Sequence, residues 1–363
     1  MFCLIVLLQS SLLAQSTDHE SFPASAYTSQ IEGSLYKGFI MMHDEKIGHL
    51  IKSHPQGFRI SYIRNTYGAK YWEQAYGYPD LGISFSYQNY LNPILGKSLA
   101  IVPFLNLYLY RGKISSLSGS LGTGLAYHTN PHDQKNNNSN LALGSSFSAA
   151  LYIALKYQVS ITNDLSAGMF VHMDHYSNGA IRKPNSGINL IQTGASFSFN
   201  FQKQGHQFQK WPKKTLTNKK FYLTLLPSIS FKEVGRGGGV IHPSYNLNVS
   251  INHPLSWFHT INFGVDGFYD IALKKWIEED TPGNTTDFKS AAITLGHQLM
   301  IGKISFLTQL GYHVYRPYTG LYSDFYQRYG LRIHLHPHIA VSGSLKTYLG
   351  KAEHVEWGLL FRL

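Results

Sequence analysis

His175, Ser177 and Asn189 are the residues of this chain best suited to covalent chemistry. A hydroxyl, an imidazole and a side-chain amide are the parts of a nucleophilic acyl-transfer site. Serine attacks, histidine takes its proton, and the third group holds the imidazole. Spacing decides whether they meet. From Leu165 the sequence alternates, with Leu165, Ala167, Met169, Val171 and Met173 on one face and Ser166, Gly168, Phe170, His172 and Asp174 on the other. Residues two apart in a strand share a face, about 6.5–7 Å from each other. The count carries His175 and Ser177 onto the apolar face, and Tyr176 and Asn178 onto the opposite one. A connection from Gly179 to Gly187 contains Pro184-Asn185 and a glycine suited to a turn. After it, Asn189, Ile191, Thr193, Ala195, Phe197, Phe199 and Phe201 form a second apolar face. A hairpin of the two runs would gather all three residues at its loop end, on its apolar side. The competing reading is a polar rim where a strand leaves a membrane.

His175-Tyr176-Ser177-Asn178-Gly179, followed by Pro184-Asn185-x-Gly187-Ile188-Asn189, resembles the signature of the lipid A 3-O-deacylases. These are outer-membrane β-barrel esterases, also described as acyloxyacyl-hydrolase-like. The resemblance implies Ser177 as nucleophile, His175 as general base and oxyanion-hole roles near Asn178, Ala180 and Asn185. It implies lipid A, and hence lipopolysaccharide, as partner, with no metal and no organic cofactor. The best-known members carry Glu where this chain has Asn189. A neutral amide can still hold the imidazole tautomer, as in Cys-His-Asn proteases, but it stabilises the imidazolium less. Arg182 and Lys183 fall in the loop beside the proposed site, where lipid A phosphates would lie. Ordinary solvation of a loop is the alternative for both.

The elements that must position these residues are strands. The chain has 363 residues, 25 Tyr, 21 Phe, 33 Gly and only 14% charged residues, a composition that does not suggest disorder. No run after the N-terminus has about 18 consecutive apolar residues, so no transmembrane helix is expected. A barrel is the remaining way to cross a membrane, and abundant Tyr and Phe suit its interfacial girdles. Met1 to Gln15 reads as a secretory signal without the usual basic start, and the single cysteine, Cys3, lies inside it. The formal net charge of +11 is compatible with nucleic acid. Because the charges are scattered and several fall in loops, an anionic glycolipid of the outer membrane is the preferred partner, not nucleic acid.

Alternating stretches are expected at about 34–42, 57–66, 80–90, 98–111, 115–128, 143–161, 165–177 and 189–202. Eight more follow, at about 219–232, 244–253, 258–270, 289–301, 303–316, 326–336, 338–349 and 353–363. The fold class is therefore all-β: an antiparallel transmembrane β-barrel, either one barrel of about 14–16 strands or two eight-stranded units. The chain divides into a signal peptide (1–15), a flexible segment (16–33), a deacylase-like barrel half (34–202), a linker (203–218) and a second half (219–363). Tight turns such as Arg111-Gly112-Lys113 face the periplasm. Long loops such as 128–140 face outward, with the His175/Ser177 end. Gly112-Lys113-Ile114-Ser115 is echoed by Gly302-Lys303-Ile304-Ser305, as expected if the second half is a repeat. It lacks a second HxSN at the equivalent hairpin, Thr347 to Glu353, and so reads as non-catalytic.

Other polar groups carry weaker chemistry. His334, His336 and His338 alternate on one face, and His172, Asp174 and Asp164 could offer ligands, but neither set has a recognised metal spacing. Gly235 to Gly239 contains four glycines with no helix after it to cradle phosphate, and reads as a loop. Glu278, Glu279 and Asp280 read as a solvated external loop. The leading functional reading is an outer-membrane esterase acting on lipid A. A porin or structural barrel with a vestigial HxSN is the alternative from another class, and a surface adhesin using the basic loops is a third.

Overall fold

The computed structural model describes residues 27–201, 207–216, 219–235, 237–319 and 323–363. The proposed signal peptide and residues 16–26 lie outside that set, as do parts of the linker. The first eight strands are β1 (Tyr27–Met41), β2 (Gln56–Thr66), β3 (Asp80–Asn89), β4 (Lys97–Arg111), β5 (Ser115–His128), β6 (Phe147–Ser160), β7 (Leu165–Ser177) and β8 (Ile188–Asn200). They form an antiparallel meander that closes where β1 pairs with β8. The second set is β9 (Tyr222–Glu233), β10 (Ile241–Pro254), β11 (His259–Asp270), β12 (Lys289–Ile301), β13 (Ile304–Tyr315), β14 (Phe325–His336), β15 (Ile339–Tyr348) and β16 (Lys351–Arg362). It closes separately, β16 on β9. Of the two arrangements open to the sequence, the chain adopts two closed barrels of eight strands each. The matched Gly-Lys-Ile-Ser turns fall at the same place in each, between the fourth and fifth strands.

Alternation forms these strands because each residue has only two environments, lumen and lipid. In β7, Ser166, Gly168, Phe170, His172, Asp174 and Tyr176 are buried, whereas Met169 and Val171 are exposed. The outward belt continues through Leu35, Ile60, Phe85, Leu121 and Phe197, all exposed. A belt that extensive would be a liability in water and is suited to a lipid surround. Closure also satisfies every strand edge, as a membrane interior requires.

An eight-stranded interior is just wide enough for side chains to fill it. Inside the first barrel Arg59 Nη2 donates to both oxygens of Asp174, at 2.9 and 3.0 Å. Lys156 Nζ donates to Glu32 at 2.7 Å. Above them, toward the loop end, Tyr90, Leu143, Tyr176, Ile188 and Leu190 pack into an apolar plug. Asp174, weighed as a metal ligand, is thus the partner of Arg59. His172 Nε2 lies 3.3 Å from the same carboxylate, while Asp164 sits in the turn between β6 and β7.

Two expectations need correction. Residues 27–33 are strand, not a flexible segment: Tyr27 pairs with Thr66, and Gln30 with Asn200. Their polarity belongs to the lumen, where Thr28, Gln30 and Glu32 are buried. The acidic group Glu278–Asp280 ends a helix, α2 (Ile271–Asp280), rather than lying in a loop. Asp270 caps it by accepting from Leu273 N at 2.9 Å, which satisfies an amide the helix cannot pair internally. A shorter helix, α1 (Tyr71–Ala75), lies between β2 and β3.

Removing one partner of a buried ion pair leaves the other uncompensated. Asp174→Ala is therefore expected to lower the stability of the first barrel by about 3–5 kcal/mol. The check is urea unfolding in lipid vesicles, and an unchanged midpoint contradicts the ion pair.

Candidate active site

The site lies where β7 and β8 leave the barrel. Register pairs His175 with Asn189 directly across the two strands. Both side chains face outward, and opposite residues on one face have Cβ atoms about 4.5–5.5 Å apart. His175 Nδ1 lies 2.5 Å from Asn189 Oδ1. An amide oxygen only accepts, so Nδ1 carries the proton and Nε2 keeps its lone pair. Two residues on, along the same face, is Ser177, half-buried at the end of β7.

The loop from Asn178 to Gly187 wraps around this hydroxyl. Asn185 Nδ2 donates to Ser177 Oγ at 2.9 Å, and the Gly179 N–H donates to the same oxygen at 3.2 Å. The other end of the Asn185 amide accepts from Asn178 N at 3.2 Å. Asn178 Nδ2 donates to Ser145 Oγ at 3.1 Å and to Arg182 O at 3.0 Å. Gly179 and Ala180 both have φ of +64°, which turns the chain back sharply after the serine. Gly187 fills a position where any side chain is strained. A Cβ there would lie 3.0 Å from His175 Cε1 and 3.5 Å from Ser177 Cβ, and its φ is +75°.

Of the donors expected from sequence, Asn185 reaches the serine oxygen directly. Asn178 N is engaged by Asn185, and Ala180 lies two residues further on. Gly179 N, which sequence reasoning did not single out, touches Oγ. Arg182 and Lys183 turn toward the second barrel. Arg182 Nη1 donates to Gly239 O, and Lys183 Nζ to Gly235 O, each at 3.4 Å. The Lys183 ammonium also lies 5.5 Å from the centre of the Trp276 ring. Burial holds its pKa below the usual lysine value; Glu233 opposes the shift, and Lys232 and Lys351 add to it.

Two family models match. The model for lipid A 3-O-deacylase (PagL) covers residues 56–198, and that for the acyloxyacyl hydrolase C-terminal domain covers residues 217–363. The chain belongs to the lipid A 3-O-deacylase family. Deacylases of this kind are ester hydrolases of the outer membrane, and this chain is an outer-membrane barrel. Among solved structures it is similar to the outer membrane enzyme PagL, at 19% identity over 47% of this chain and 98% of that one, with a TM-score of 0.30. It is also similar to the outer membrane phospholipase of Salmonella typhi, at 9% identity over 96% of this chain and 94% of that one, with a TM-score of 0.20. Omp33 of Acinetobacter baumannii matches at 8% identity over 93% of this chain and 98% of that one, with a TM-score of 0.19. A search among curated proteins gives no match.

His334 and His338, weighed as metal ligands, make local contacts at the opposite end of the second barrel. His334 Nε2 is 3.0 Å from Ser305 Oγ, and His338 Nδ1 is 3.0 Å from Arg362 O. Among the described residues no group of three or more His, Cys, Asp or Glu could hold a metal ion.

Gly187→Ala places a methyl group against both His175 and Ser177 and strains the turn. Covalent labelling of Ser177 by a lipophilic fluorophosphonate is expected to slow by about tenfold or more, because small displacements of reacting groups carry large rate penalties. Labelling at the wild-type rate contradicts this packing.

Proposed function

We propose that this deacylase-family chain removes an ester-linked acyl chain from lipid A by Ser-His-Asn catalysis on the outer wall of its first barrel. The observation that carries the proposal is the 2.5 Å hydrogen bond from His175 Nδ1 to Asn189 Oδ1 on the strand face that also bears Ser177. That bond selects the tautomer in which Nε2 can accept a proton.

Ser177 Oγ attacks the ester carbonyl while His175 Nε2 takes the hydroxyl proton. The carbonyl oxygen becomes an oxyanion, stabilised by Asn185 Nδ2 and the N–H of Gly179, with Asn178 and Ala180 supporting the loop that supplies them. His175 returns the proton to the leaving sugar oxygen, the ester C–O bond breaks, and the acyl group stays on Ser177. Water, deprotonated by the same imidazole, then releases the fatty acid. A lipid in the outer leaflet reaches this site sideways, without entering the barrel. Lys183 and Arg182 lie beside the site as counter-charges for lipid A phosphates, and their bonds to the second barrel fix where that charge sits.

The passive-channel reading finds less support. The first lumen is occupied by the Arg59–Asp174 and Lys156–Glu32 pairs and by the apolar plug above them.

Ser177→Ala is expected to abolish deacylation, read by mass spectrometry of lipid A from cells expressing each form. Identical acyl patterns for wild type and variant, with both inserted, remove the proposal. Asn189→Glu is expected to raise kcat by roughly fivefold to tenfold, because a carboxylate stabilises the imidazolium more than an amide by about 1 kcal/mol or more. A fall in kcat would mean that the amide is the better partner at this position.

A further inference from the structure

We propose that Glu233, at the end of β9 in the second barrel, is a positioning residue for the active-site loop of the first. The inference rests on the Ser177 reading above and gives the second barrel a part in the reaction.

One peptide unit, the one joining Arg182 to Lys183, links the two barrels at the site. Its carbonyl accepts from Asn178 Nδ2 at 3.0 Å, and its N–H donates to Glu233 Oε2 at 2.6 Å. The unit is therefore held at both ends: by the residue following the nucleophile, and by a carboxylate 50 positions away in sequence. Hydrogen bonds in such a chain polarise one another, and an ionised acceptor at the end strengthens each link. Two residues after this peptide, Asn185 donates to Ser177 Oγ and accepts from Asn178 N. The donors around Oγ thus hang from a loop whose far side is fixed by Glu233.

Glu233 is itself built in. It is buried, and its second oxygen accepts from Gly239 N at 2.5 Å. The loop between β9 and β10 closes around the same contact. Gln134 Nε2 donates to Gly237 O at 2.8 Å, and a Cβ on Gly237 would sit 3.1 Å from Lys183 O. On the other flank a Cβ on Gly179 would lie 2.4 Å from Val355 Cγ2 of β16, so the second barrel also abuts the turn behind the serine. These contacts leave the oxyanion-side loop little freedom to shift against the nucleophile.

The test uses the full chain in detergent, with a soluble short-chain ester as substrate and active sites counted by fluorophosphonate labelling. Glu233→Gln and Glu233→Ala are expected to lower kcat per labelled serine by about 10- to 100-fold, the size expected when a distant change misplaces reacting groups. KM should stay within about twofold. Glu356→Gln is the comparison. It weakens the buried pair with Arg328 on the lumen face of β16, opposite the face on which Val355 meets the loop, and is expected to lower the melting temperature while leaving kcat per labelled serine unchanged. Hydrogen exchange on the unmodified protein supplies an independent measurement, with the Lys183 amide expected to be protected. Glu233 variants with wild-type kcat per site, an equal loss in Glu356→Gln, or a freely exchanging Lys183 amide each overturn the proposal. If the unmodified protein neither cleaves ester nor labels at Ser177, the esterase reading fails, while exchange at Lys183 still decides whether the clamp exists.

Discussion

Closure of each sheet on itself is the constraint from which the rest follows. Within a bilayer no water is present to pair a free strand edge, so β1 must meet β8, and β16 must meet β9. Closure fixes parity: once one residue of β7 points into the lumen, every second residue does. Asp174 on Arg59 and Tyr176 in the apolar plug anchor that choice. His175 and Ser177, one position off, have no place to go but outward. The outward placement of His175 and Ser177 is therefore a consequence of how the lumen is packed.

That placement matters to the proposed chemistry. An ester in the outer leaflet diffuses in the plane of the membrane and meets the barrel wall, not its mouth. The lumen can then be filled with ion pairs and aromatic rings that stabilise the fold without obstructing substrate. Low dielectric around the site strengthens each hydrogen bond to a developing charge. In the proposed catalytic group the amide at position 189 is the one element that would not exploit this, since it orients the imidazole without a compensating negative charge.

The second barrel repeats the first in strand number and in the position of its Gly-Lys-Ile-Ser turn, and it falls within a family model of its own. Its hairpin β15–β16 turns in two residues, Leu349 and Gly350, both at positive φ, where the first barrel spends ten on the loop around Ser177. The tight turn leaves no room for a catalytic loop. What the second unit presents instead is a wall: Glu233, the glycine-rich loop after it and Val355 meet the back of the site.

Much of this was legible from residues in order. Alternation depends only on nearest neighbours along the chain, so it located the strands, the outward face of His175, Ser177 and Asn189, and the connection between them. It misread 27–33, because lumen-facing polar residues and solvent-facing ones look the same in sequence. It also missed α2, whose ten residues are too short and too mixed to announce a period. Whether sixteen strands made one ring or two was undetermined, since alternation sets the face of a residue and not the partner of an edge. The contacts of Gly179 N with Ser177 and of Glu233 with Lys183 join backbone and side chains by a turn's geometry or across two domains. No local pattern encodes them, and only the folded chain brings those atoms within reach.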